Sequence, residues 1–169
     1  MVWFLFYGWF GSNDFHILVK SMSKKTRYIL VFILIILLAL IRQFEDVLFY
    51  DPYLSFFKND YLYIDSPRRE TFKLVMFTTL RYFMNTILSL GILYLAFMEK
   101  NIVKFSILVY GAAYIVLILV FLYFVVNPRK EDYYLFFNIR RFLIQPILLL
   151  LLLPAFYYNR LKHWMLMLF

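Results

Sequence analysis

Thr78, Arg81, Asn85 and Ser89 follow one another at spacings of three, four and four, and Asn138, Arg141 and Gln145 at three and four. Residues so spaced share one face of a helix. Each set is a polar stripe with an arginine inside it, and Arg140 stands beside the second. A third group, Arg42, Glu45 and Asp46, falls within about one helical turn. Guanidiniums set among amides and carboxylates suit two kinds of chemistry: binding an oxyanion through paired donors, or closing ion pairs within the chain.

Other chemistries are poorly served. The chain has no cysteine, which removes disulfides, thiolate metal ligands and a cysteine nucleophile. The two histidines, His16 and His163, lie near the termini, so no histidine metal site or triad is expected. Glu45 and Asp46 are adjacent, so on a helix they point about 100° apart and make a poor acid–base pair. No glycine-rich phosphate loop or metal-ligand spacing occurs. The sequence predicts no cofactor, and an enzyme is the weakest reading.

The elements that must position these stripes are membrane helices. Of 169 residues, 64% are hydrophobic and 23% aromatic. A soluble globule of this size needs a more polar exterior. Lys+Arg outnumber Asp+Glu by 18 to 10, but the basic residues cap apolar runs, a topology signal rather than a nucleic-acid patch. The expected fold is all-α, an integral membrane protein with four transmembrane helices at about 28–48, 72–98, 102–126 and 134–158. Between the first two lies YDPYLSFFKNDYLYID, whose tyrosines and phenylalanines alternate with single charges. Such amphipathic rings settle at the headgroup level, giving an interfacial segment. Ser66-Pro67 reads as a helix start, and Asn127-Pro128 as a stop.

Residues 22–158 therefore form the membrane domain, 159–169 a short basic and apolar tail, and 1–21 an extension too short to span, with Met22 the expected natural start. Lys24, Lys25 and Arg27 ahead of the first helix are expected to place both termini in the cytoplasm.

An arginine near the middle of a bilayer costs roughly 2.5–3.5 kcal/mol on insertion scales, so a partner is expected. The proposed topology puts Arg81 and Arg141 at similar depth, near the end of the first helix. Arg141, with Arg140, is expected to face inward, compensated by Glu45, Asp46, Asn85 and Gln145. The two arginines lie about 100° apart around the helix, so one of them turns to the headgroups. Pro146 should free a backbone carbonyl for an arginine or glutamine donor. Thr78, Ser89 and the run Tyr110, Gly111, Ala112, Ala113 and Tyr114 read as helix packing.

The segments ALIRQFEDVLFYDPYLSFFK, LRYFMNTILSLGILYL and IRRFLIQPILLLLLLPAFYY together resemble the exosortase F system-associated membrane proteins, small bacterial proteins encoded beside that exosortase. The likeness runs from about Met22 to Tyr158. Exosortases use an intramembrane cysteine with histidine and arginine, and none of that set transfers here. The resemblance therefore implies a noncatalytic accessory protein of the sorting system, with exosortase F and membrane lipids as partners. A second reading takes the intramembrane arginines as a site for an anionic lipid or lipid-linked glycan.

Overall fold

The computed structural model describes residues 17, 19–49, 51, 71–127, 129 and 132–166, with side chains for all of these except 46 and 161–166. The architecture is helical, without a strand among the described residues. In chain order it comprises α1 (Lys24–Gln43), α2 (Glu45–Leu48), α3 (Thr71–Phe97), α4 (Lys100–Val126), α5 (Tyr133–Ile144) and α6 (Ile147–Leu166). Apart from Asp51, the expected aromatic interfacial segment lies outside the described residues, as do the Ser66-Pro67 helix start and residues 1–16 and 18 of the expected extension. Val19, also of that extension, is 3% exposed and belongs to the main core.

α1 begins where sequence chemistry dictates. Ser23 is extended and its hydroxyl accepts the Thr26 N–H at 3.2 Å, satisfying one of the donors a helix start leaves open. At the other end the expected continuous helix to residue 48 is interrupted. Phe44 leaves helical geometry (φ −97°, ψ 20°), though its N–H still reaches the Leu40 carbonyl at 2.9 Å, and the short α2 follows. The interruption is held by the ion pairs of Glu45 described below.

α3 is the central element, packing on α1, α4, α5 and α6. In their most apolar stretches, 56% of α3 is buried against 17% of α4. The reason is visible in the sequence: α3 has polar groups that need partners, whereas α4 is apolar on all sides and is at ease facing hydrocarbon. Tyrosines stitch the two together. The Tyr82 hydroxyl donates to the Tyr110 carbonyl at 2.7 Å, and Thr79 and Tyr114 share a hydroxyl hydrogen bond at 2.9 Å. Only Met98 and Glu99 separate α3 from α4, which forces antiparallel neighbours. Met98 makes the reversal in the left-handed region, φ 57°, its N–H closing α3 on the Tyr94 carbonyl at 2.8 Å.

α1 packs tightly against α3 at Gly91, where α3 has no side chain. A Cβ on Gly91 would lie 3.2 Å from Leu34 Cδ1. On the opposite flank, the Phe121 and Phe136 rings pack 5.5 Å apart between α4 and α5.

α3 and α4 are each long and apolar enough to cross a membrane. α5 and α6 through Arg160 make a third such span when the bent pair is taken as one. This corrects the expectation of one continuous helix over 134–158: the axis turns by 63° at Gln145-Pro146. Proline has no N–H to donate and pushes the residue before it out of helical geometry. Gln145 is accordingly extended (φ −111°, ψ 148°). Pro154, a turn or two further, is absorbed within α6, which continues past the expected end at Tyr158.

Candidate functional site

The site gathers at the end of the bundle where α1 stops, α3 passes its first third, and α5 breaks. α3 presents Thr78, Arg81, Asn85 and Ser89 inward as one buried stripe, as the spacing predicts. Arg81 is 1% exposed. Its Nη2 donates to Glu45 Oε2, its Nη1 lies 3.8 Å from Asp51 Oδ2, and its guanidinium carbon sits 5.4 Å from the centre of the Phe49 ring. So the residues that close around Arg81 come from the stretch after the break at Phe44. That break is what lets Glu45 leave the line of α1.

The other charges join the same network. Arg42 Nη1 donates to Glu45 Oε2 at 3.0 Å, and Arg140 Nη2 donates to Asp51 Oδ2 at 2.5 Å. Arg42, Glu45, Arg81, Asp51 and Arg140 thus alternate in sign, each carboxylate held between two arginines. In a low-dielectric interior an unpaired charge is expensive and a bridged carboxylate is well compensated. The arrangement joins α1, α2, α3 and α5 at one point.

The expected orientation of the arginine pair is reversed. Arg140 is the inward one, 4% exposed, while Arg141 is exposed. Arg141 lies over the Phe137 ring at 6.0 Å from its centre and reaches Gln145 Oε1 through Nε at 3.3 Å. The cause is Asp51: an acid at the depth of Arg140 selects that side chain, and the 100° offset turns Arg141 away. The stripe Asn138, Arg141, Gln145 consequently does not line the core as one face: Arg141 is exposed, and Asn138 donates to the Tyr134 carbonyl of its own helix at 3.1 Å.

Asn85, rather than an arginine or glutamine, serves the break in the helix. Its Nδ2 donates to the Ile144 carbonyl at 2.9 Å, one of the acceptors left open where α5 terminates before Pro146. Gln145 sits between two cations. Turned one way its amide oxygen accepts from Arg141, and turned the other way it accepts from both terminal nitrogens of Arg42 at 3.2 Å. Thr78 and Ser89 are buried in α3. Asp46 lies in α2 with its side chain outside those described.

Of the expected residues, the structure brings together Arg42, Glu45, Arg81, Asn85, Arg140 and Gln145, and sets Arg141 at the rim. Sequence reading missed Asp51, which was assigned to the interfacial segment. Charge balance gave no signal for it, because Glu45 and Asp46 already supplied two acids to the arginines, and the pairing with Arg140 is made across 89 positions of sequence. Among the described residues, no group of three or more His, Cys, Asp or Glu side chains could hold a metal ion.

Beside the network runs a groove of about 620 Å³ between α1, α3 and α6. Its polar lining residues, Arg42, Arg81, Asn85 and Gln145, all lie at the arginine end, and the rest of its wall is apolar. No protein-family model, curated protein or solved structure matches the chain.

Proposed function

We propose that this chain is a noncatalytic membrane protein of four spans, with α1 as the fourth, that serves as an accessory component of an exosortase-type sorting system in a bacterial inner membrane. The observation that carries the reading is the state of α1. Of its twenty residues, only Leu38 and Ile41 are buried, while Ile29, Phe32, Ile33, Ile36 and Leu40 are exposed. A helix packed on the bundle through one face, chiefly against α3, leaves an apolar flank for another membrane helix to cover. The charge network supports the same reading. Its buried arginines are neutralised by the chain's own carboxylates, which suits a fastener that fixes the shape of one membrane face. The three segments that resemble exosortase F-associated proteins supply the identity of the partner.

The topology that goes with it has both termini cytoplasmic, because Lys24, Lys25, Arg27 and Arg160 collect at the end opposite the network. The test is co-purification. The tagged full chain, co-expressed with an exosortase F and extracted in mild detergent, should bring the enzyme down, and Phe32→Ala with Ile36→Ala on the bare flank of α1 should release it. Deletion of the protein that leaves both sorting and exosortase abundance unchanged would overturn the proposal.

A further inference from the structure

We infer that the groove beside the charge network is a binding site for an anionic membrane phospholipid, its phosphate at Arg42 and Gln145 and one acyl chain along the apolar wall. Three observations converge on that chemistry, and they do not depend on the accessory role proposed above.

The first is shape. From the polar end the groove extends along α1 from Arg42 to Ile35, and along α6 from Ile147 to Pro154. At 1.5 Å rise per residue each wall runs about 10 Å. Polar groups confined to one end of an apolar channel match an amphiphile, not a uniformly polar or uniformly apolar ligand. The volume falls within the range of small-ligand sites.

The second is charge. On the groove side the alternating network ends in a cation, Arg42. Arg141 adds another cation at the rim. Arg42 is the member that faces the groove, and its side chain is 50% exposed, with one terminal nitrogen on Glu45. A second anion is what its fork-shaped donor set would accept. Arg81 also lines the groove, 1% exposed, and its Nε has no hydrogen-bond partner.

The third is the break at Pro146. It brings the first turn of α6 to the polar end of the groove, where Gln145, Pro146 and Ile147 form part of the lining. The amino end of a helix carries partial positive charge, and half-helices of this kind point at anionic groups within membrane proteins.

The full chain is purified in mild detergent, and retained lipid is identified and counted by mass spectrometry. Thermal unfolding is then followed with added phosphatidylglycerol, phosphatidylcholine or inorganic phosphate. Phosphatidylglycerol should be retained in preference to phosphatidylcholine and should raise the unfolding temperature. Arg42→Gln should weaken phosphatidylglycerol binding about tenfold, the loss of one charge-assisted contact. Ala39→Trp, which fills the groove from α1 and leaves every charge in place, should weaken both lipids. Equal retention of the two lipids by all three proteins overturns the site. So does stabilisation by inorganic phosphate equal to that by phosphatidylglycerol, which marks a free-anion site. Full lipid retention by Ala39→Trp would remove the acyl chain from the groove and overturn the assignment as well.

Discussion

Asp51 and Arg140 are separated by 89 residues in the chain and by 2.5 Å in the fold. The pair decides which of two adjacent arginines belongs to the interior. Replacing Arg140 by leucine should therefore destabilise the protein by about 3–5 kcal/mol, because it strands a buried carboxylate. Arg141→Leu, on the exposed side of the same turn, should change stability by no more than about 0.5 kcal/mol. Unfolding in detergent by denaturant, measured for the two variants side by side, checks this. Equal losses would place both arginines in the interior.

Glu45 and Arg81 give a second, sharper comparison. Glu45→Leu leaves Arg81 with only the longer contact to Asp51 at 3.8 Å, and the expected loss is again about 3–5 kcal/mol. Glu45→Leu combined with Arg81→Leu removes both charges and should recover much of it. A double-mutant cycle on unfolding free energies reads the coupling directly. If the double variant is as unstable as the sum of the two singles, the pair does not act as one.

Asn85 protects the carbonyl at the end of α5. Asn85→Leu keeps the volume but leaves the Ile144 oxygen without its donor, at an expected cost of about 1–3 kcal/mol. The bend should loosen too. Spin labels at the exposed positions Leu135 and Leu150 should show a broader distance distribution in Asn85→Leu than in the natural chain. An unchanged distribution would mean that Pro146 alone sets the 63° turn.

Gly91 sets the spacing of α1 from α3. A methyl group there meets the flexible end of Leu34 at 3.2 Å, so Gly91→Ala should be nearly neutral, the tight contact being offset by a better helix former. Gly91→Ile has no such room and should displace α1. Cross-linking of cysteines placed at Leu34 and Leu88 should persist in the alanine variant and fall away in the isoleucine one.

The helices and the α3 stripe were legible in the sequence because both follow from periodicity. Arg81, Asn85, Thr78 and Ser89 share a face at any tilt, and that face had to be inward. The fourth helix was less legible. Pro146 announced trouble, but a proline can be absorbed, as Pro154 is in α6. What separates the two is that Asn85, from another helix, accommodates the end at Ile144. The arginine pair was misread for the same reason: spacing shows that Arg140 and Arg141 diverge, while the choice between them rests on Asp51, a contact no local pattern encodes.

The alternation of signs also has a direction in time. The acids, Glu45 and Asp51, leave the ribosome before the arginines they hold in α3 and α5, Glu45 being 36 positions ahead of Arg81 and Asp51 89 positions ahead of Arg140. Arg81 and Arg140 therefore arrive after their counter-ions have already been made. An arginine entering alone would face the full insertion penalty, and one entering beside its acid would not. The order of the chain is in this sense an assembly sequence. Synthesis halted before α5 would leave α3 settled and Asp51 still waiting for its second arginine.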